Sequence, residues 1–263
     1  MKVVILCGGK GIRIREVSDE LPKPMVRIGR YPILQHIMET YSAHGFEDFI
    51  LALGYRGWQI KEYFLNYRAA TQDLELNLRD GTSTTHNAEA AIPPWKVILA
   101  ETGLDSQTGS RVSQIQRYTD GDPFFLTYGD GVGNVDVSAL VDFHRSHGKL
   151  ATITSVRPPS RFGELLIEGD NVKRFEEKPQ AHGGYINGGF FVCEQGVFDY
   201  LSDDPTLSFE QEPLRRLAED GQLMTFKHDG FWMPMDTSRE YILLNDMWKK
   251  GDAPWVSKPG SGG

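Results

Sequence analysis

A basic glycine loop and two distant aspartates are the residues of this chain best suited to chemistry. The loop reads Gly8-Gly9-Lys10-Gly11-Ile12-Arg13 and is followed by Pro22-Lys23-Pro24-Met25. Glycines placed directly after an apolar run let backbone N–H groups approach an anion closely. Arg13 offers a planar fork of donors to phosphate oxygens, and Lys23 a point charge on backbone restricted by a proline on either side. The pattern lacks the third glycine and the acidic residue of a dinucleotide fingerprint, and it lacks the Gly-Lys-Ser/Thr ending of a Walker A loop. Taken alone it reads equally as a phosphate cradle or as a tight strand-to-helix turn with solvated basic side chains.

Asp130 lies in Tyr128-Gly129-Asp130-Gly131, directly after the apolar run Phe124–Tyr128. That is the carboxyl end of a strand, where ligands gather in open α/β sheets. Asp236 lies in Met235-Asp236-Thr237. Spacing alone does not pair the two. Taken singly, Asp130 reads first as a turn residue and Asp236 as the cap of a helix starting near Ser238; the two motifs together with the glycine loop reverse that preference. The seven histidines are scattered and form no Ser-His-Asp or Cys-His constellation. Cys7 and Cys193 fit neither a metal-ligand spacing nor a disulfide framework.

These residues need a scaffold. Residues 2–7 form a β-branched apolar run that predicts a buried parallel strand. Ile33, Leu34, Ile37, Met38 and Tyr41 recur at helical spacing, with Gly45 as a candidate C-cap. Strands are expected at 48–53, 124–128 and 151–156, and helices at 59–67 and 137–147. The stretch from about 70 to 120 alternates weakly and is rich in turn formers. It reads as a β-rich insertion. Beyond 160, strands are expected at 163–167, 172–177 and 189–193, with Asn187-Gly188 as a turn. The fold class is therefore α/β, a Rossmann-like mixed and mostly parallel sheet flanked by helices. One domain is expected over 1–255, with a nucleotide-binding half (1–135), a sugar-binding half (136–255) and a disordered tail at 256–263.

The net charge of −8 over 263 residues argues against a broad nucleic-acid surface. It leaves room for a small anionic ligand, because a few local cations suffice for that. No segment is long enough to span a bilayer and no leader precedes the first strand, so a cytoplasmic location is expected.

Gly8-Gly9-x-Gly11-x-Arg13 followed by Lys23-Pro24-Met25-Val26 resembles the signature of the sugar-phosphate nucleotidyltransferases. Pieces along nearly the whole chain are similar to the branch that uses CTP and glucose 1-phosphate. They include Tyr128-Gly129-Asp130-Gly131, Glu177-Lys178-Pro179, Asn187-Gly188-Gly189, Phe209-Glu210-Gln211-Glu212-Pro213 and Pro234-Met235-Asp236-Thr237. The chain departs from the family at Ile12, where threonine is usual.

The resemblance implies cytidylyl transfer to glucose 1-phosphate with release of pyrophosphate. It implies Mg²⁺ held by Asp130 and Asp236, and Arg13 and Lys23 as catalytic cations. The nucleotide would meet Leu6, Cys7, Gly8, Gly9, Lys10, Gly11, Ile12, Arg13, Lys23, Ser106, Arg111 and Gly129. Arg111 reads either as a phosphate or ribose contact or as a surface arginine. The sugar phosphate would meet Gly163, Glu177, Lys178, Asn187 and Gly188. The family also implies a homo-oligomer, with Phe231 and Trp232 as candidate exposed contacts. Rival readings are uridylyl or thymidylyl transfer, a non-catalytic sugar-nucleotide binder, and a glycosyltransferase, whose usual Asp-x-Asp pair is here Gly-Asp-Gly.

Overall fold

The computed structural model describes residues 1–9, 21–86, 92–158, 164–168, 171–176 and 184–256. Strand β1 (Lys2–Leu6) is buried on both faces, which is why it is continuously apolar rather than alternating. Val3 and Ile5 enter one core cluster, Val4 and Leu6 the other, following the two-residue period of a pleated strand. A short hairpin of β2 (Arg27–Ile28) and β3 (Tyr31–Pro32) leads into α1 (Ile33–Ser42), which buries the five apolar residues whose spacing marks it in the sequence. The helix stops before Gly45, where the backbone turns with φ +80°.

β4 (Asp48–Leu53) lies parallel to β1. The next helix starts earlier than expected, because Arg56 takes a left-handed backbone that turns the chain immediately. It is α2 (Gly57–Leu65), continued by the short α3 (Tyr67–Thr71).

The expected β-rich insertion divides in two. β5 (Asp73–Asn77) and β6 (Thr82–His86) form a hairpin exposed along its length. β7 (Lys96–Glu101) instead joins the main sheet, parallel to β4 and paired with it from end to end. As an edge strand it is only half-buried, which dilutes its apolar signal. It is followed by α4 (Thr108–Gln114).

β8 (Phe124–Tyr128) pairs parallel with the other edge of β1. After it come β9 (Gly131–Gly133), α5 (Val137–His147) and β10 (Ala151–Val156). β11 (Glu164–Glu168) and β12 (Asn171–Glu176) make a separate hairpin. β13 (Ile186–Asn187) and β14 (Phe191–Cys193) both run antiparallel to β10. Asn187-Gly188, expected as a turn before the next strand, is therefore an interruption within one strand line. Gly189 and Phe190 take left-handed backbone at the break, φ +76° and +48°.

The chain ends with α6 (Glu212–Glu219), β15 (Leu223–His228), β16 (Trp232–Pro234) and α7 (Ser238–Lys250). β15 pairs parallel along the whole of β10, and β16 pairs with β9. The main sheet has eight strands in the order β13-β10-β14-β8-β1-β4-β7, with β15 on the far side of β10. Its centre is parallel and its β14–β8 junction antiparallel. α1 packs in the cluster on one face, and Val112 of α4 with Leu214 and Leu217 of α6 on the other.

Phe231 and Trp232 are not free surface aromatics. Phe231 stacks on the buried Trp255, and the Trp232 indole N–H donates to the Gly188 carbonyl at 2.8 Å. Val256 closes a turn on Ala253, and the rest of the expected tail lies outside the described residues. No helix among the described residues is long and apolar enough to cross a membrane.

α5 is tied to the sheet by a chain of directed hydrogen bonds. The Lys149 N–H donates to His147 Nδ1 at 3.0 Å, so the neutral ring carries its proton on Nε2. His147 Nε2–H donates to Thr152 Oγ at 2.7 Å, and the threonine hydroxyl donates in turn to His144 Nδ1 at 2.8 Å. His144 Nε2–H then donates to Glu194 at 3.2 Å. Burial holds both histidines below their ordinary value, outweighing the Glu194 carboxylate beside His144. A histidine lowered in the folded state is neutral there and gains a proton more readily when unfolded. Its contribution is full above the unfolded value of about 6.5 and is lost as pH falls below it. Urea unfolding at pH 7.5 and 5.5 should therefore give a lower midpoint at the acid pH, and a His144→Gln, His147→Gln double variant should show a smaller difference. An equal difference in the variant would contradict the relay.

Candidate functional site

The carboxyl ends of β1 and β8 open on a cleft of about 360 Å³. Leu6, Cys7, Gly8 and Gly9 continue β1 into it, and Gly129 and Asp130 continue β8. Ser106 and Arg111 reach its wall from the segment around α4, and Lys23 from the short 3-10 turn Lys23–Met25. These nine residues, each marked as a candidate by the sequence, share one cavity. Lys10, Gly11, Ile12 and Arg13 of the loop, and Gly163, Glu177 and Lys178 of the sugar set, lie outside the described residues.

Lys23 sits at the meeting point of the two acidic motifs. Its ammonium donates to Asp130 Oδ2 at 2.7 Å and also to Asp236 Oδ1, across 107 and 213 positions of sequence. Backbone pairing sets up the encounter. β9 and β16 zip together just beyond Asp130 and just before Asp236, and the Met235 N–H donates to the Asp130 carbonyl at 2.8 Å. Asp236 does not cap α7. Thr237 does, accepting from the Glu240 N–H in a capping box, while the Glu240 carboxylate accepts from the Asp236 and Thr237 N–H groups. The Asp236 carboxylate is thereby left to face Lys23. Burial acts to lower the Lys23 ammonium, but the two carboxylates, Asp130 foremost, outweigh it and hold it above its ordinary value.

Two hard-oxygen side chains drawn onto one cationic centre form a donor set suited to a divalent cation such as Mg²⁺, which often takes one or two carboxylates and fills its remaining positions with phosphate and water. Both carboxylates keep exposed surface, 35% for Asp130 and 24% for Asp236, so a cation can reach them. No group of three or more His, Cys, Asp or Glu converges among the described residues. The remaining ligands would then come from the substrates.

Arg111 is neither a surface residue nor a free arm. It is 4% exposed. Its guanidinium donates to the Leu53 carbonyl at 2.9 Å, the Thr102 hydroxyl at 2.7 Å, the Gly103 carbonyl at 2.8 Å and the Gly8 carbonyl at 3.1 Å. It therefore binds together the ends of β1, β4 and β7. A Cβ on Gly8 would lie 2.2 Å from this guanidinium and one on Gly54 2.5 Å away, so a side chain at either position would push the guanidinium out of its place. Burial keeps Arg111 below its ordinary value, against the pull of Cys7 and Asp105. Burial also raises the thiols of Cys7 and Cys193, which rules them out as ready nucleophiles.

The site also holds residues that the sequence did not mark as candidates. Thr108 and Tyr128 line the cleft, with Pro24 and Gln107, and both hydroxyls donate to the Glu210 carboxylate. Asn187 joins them through its amide, which donates to the Tyr128 hydroxyl at 3.0 Å, while its carbonyl oxygen accepts from the Gly189 N–H at 2.8 Å. Gly188 lies against Val156, which a Cβ would meet at 2.5 Å. A signal was present, since Tyr128 adjoins Gly129-Asp130 and Glu210 lies within a motif quoted above. Nothing in their spacing assigned either a role.

Comparison with known proteins adds the following. The nucleotidyl transferase family model matches residues 2–248. The glucose-1-phosphate cytidylyltransferases of Salmonella typhi and Salmonella typhimurium are each 48% identical over 256 residues, covering 97% of this chain and 98% of theirs. Among solved structures, a UDP-glucose pyrophosphorylase complexed with UDP-glucose superposes with a TM-score of 0.66, at 15% identity, over 95% of this chain and 98% of that one. At that identity the likeness speaks for the fold alone.

Proposed function

The chain belongs to the nucleotidyl transferase family, and from that premise we propose that it transfers a cytidylyl group from CTP to α-D-glucose 1-phosphate, giving CDP-glucose and pyrophosphate. The observation that carries the chemistry is the meeting of Lys23, Asp130 and Asp236 beside a glycine-lined cleft. The choice of base and sugar rests on near full-length kinship with the Salmonella proteins.

The attacking oxygen of the sugar phosphate is already anionic at neutral pH, so no general base is needed. What remains is alignment and neutralisation of charge. The strand end at Gly8-Gly9 brings bare backbone to the cleft and, with Lys10, Gly11, Ile12 and Arg13, cradles the triphosphate. Asp130 and Asp236 would hold Mg²⁺, which when bound draws phosphate oxygens together and offsets their charge. Lys23 and Arg13 neutralise the transferring and leaving phosphates. Arg111 keeps the carboxyl ends of three strands in register beneath the nucleotide, with Ser106 on the adjoining wall. Asn187, Gly188, Gly163, Glu177 and Lys178 meet the sugar phosphate.

The test is pyrophosphate release from each nucleoside triphosphate against a panel of sugar 1-phosphates, with and without a chelator. CTP with glucose 1-phosphate should be the fastest pair, and chelation should stop it. Preference for UTP or dTTP, or no release from any pair, would overturn the reading.

A further inference from the structure

Glu210 lies in the loop before α6 and does not itself line the cleft, yet three hydroxyl groups donate to its carboxylate. Tyr128 donates to Oε1 at 2.7 Å, and Ser208 and Thr108 donate to Oε2 at 2.7 and 2.5 Å. Two of these donors, Tyr128 and Thr108, form part of the cleft wall. Each hydroxyl has one proton. With those protons turned to Glu210, both oxygens can face a ligand only as acceptors. The Thr108 oxygen already accepts from the Phe209 N–H at 2.9 Å and keeps one open lone pair, while the Tyr128 oxygen accepts from the Asn187 amide at 3.0 Å, which fills its in-plane lone pair. Tyr128 stays a neutral phenol, since burial and then the Glu210 charge raise it above its ordinary value. The network therefore joins the first residue of α4, the end of β8, the break in the β13–β14 strand line and the approach to α6.

We propose that Glu210 is a positioning residue of this cleft: by taking the hydroxyl protons of Thr108 and Tyr128 it fixes a wall that accepts hydrogen bonds, orients the Asn187 amide, and so selects ligand groups that donate N–H or O–H. This rests on the reading of the cleft given above. Two substrate groups carry such donors, the exocyclic amino group of cytosine and the hydroxyls of the sugar. A phosphate oxygen, which only accepts, is disfavoured there. Uracil presents an acceptor where cytosine presents its amino group.

The experiment compares wild type with Glu210→Gln and Tyr128→Phe. The amide of Glu210→Gln keeps the shape but brings an N–H against hydroxyls that now donate, and so releases at least one proton toward the cleft. Glu210 is exposed at the surface, so the variant is expected to fold, and Tyr128→Phe tests the same wall from the other side. Wild type is assayed first, and its substrate preference decides the proposed function. The role of Glu210 is then read as the ratio of variant to wild-type KM, for whichever nucleotide and sugar phosphate wild type turns over. Glu210→Gln should raise at least one KM about five- to tenfold, the worth of one misdirected hydrogen bond, while kcat changes less than about threefold. Loss of the preference for CTP over UTP would assign the wall to the base, and a higher KM for the sugar phosphate alone would assign it to the sugar. Tyr128→Phe should raise the same KM. If both KM values stay within twofold of wild type in Glu210→Gln, whatever happens to kcat or Tm, the proposal is overturned.

Discussion

Asp236→Asn should lower the rate of CDP-glucose formation by about 10³-fold or more, and Asp130→Asn should do the same. The amide keeps the volume and some hydrogen-bonding capacity of the side chain and removes its charge. Among the described residues, Asp130 and Asp236 are the carboxylates that meet at Lys23, so losing either removes half of the charge this pair offers a divalent cation. Lys23 would then pair with the remaining carboxylate and compete for it more effectively. The fold should hardly respond. A partly exposed ion pair contributes only about 1 kcal/mol, which for a chain of this size moves Tm by roughly 2–4 °C. Pyrophosphate release at saturating substrates, measured beside a thermal melt, separates the two effects. A variant retaining more than about a tenth of wild-type activity would remove that aspartate from the reaction.

The elements were legible where physical constraints were local. β1 is buried on both faces, and only an apolar run satisfies that, so its sequence gives it away. α1 shows its face through Ile33, Leu34, Ile37, Met38 and Tyr41 for the same reason. β7 was obscured because an edge strand needs to bury only part of its surface. The break at Asn187-Gly188 looked like a turn between strands because glycine and asparagine mark left-handed backbone without saying what the chain does next. At the site, Asp130 was legible as a strand-end carboxylate. Its partner was legible only through the family resemblance and not from spacing, since the β9–β16 pairing that delivers Asp236 is short and leaves no periodic pattern. Lys23 read as a phosphate ligand because its charge and flanking prolines are visible in the sequence, whereas the two carboxylates it meets come from far along the chain. Glu210 was harder still. Its task is to orient hydroxyl groups, and nothing in a linear pattern distinguishes a carboxylate with that task from one in solvent.

Arg111→Met should cost roughly 3–5 kcal/mol of unfolding free energy, the largest stability effect expected at any cleft residue. Methionine matches the aliphatic stem and fills much of the volume, so the loss reports the guanidinium rather than a cavity. Five oxygens at and just beyond three strand ends would lose the guanidinium: the carbonyls of Gly8, Leu53, Gly103 and Leu104 and the Thr102 hydroxyl. The Leu53 carbonyl keeps donors in the Thr102 hydroxyl and N–H, at 2.7 and 3.1 Å, and the Gly8 carbonyl keeps the Tyr55 N–H at 3.2 Å. Those remaining bonds hold the loss below the sum of five. Arg111→Lys should recover only part of it, because an ammonium is a compact point donor and cannot span carbonyls on three strands at once. Gly8 and Gly54 make the same point from the other side, since each is bare to admit this flat group. Because the clamp holds the end of β1 where the phosphate loop begins, turnover should fall in both variants even at temperatures where they remain folded. Urea titration beside initial rates at 15 °C distinguishes the possibilities. A loss below about 1 kcal/mol in Arg111→Met would mean that the strand ends hold their register without it, and that the cleft owes its shape to the sheet alone.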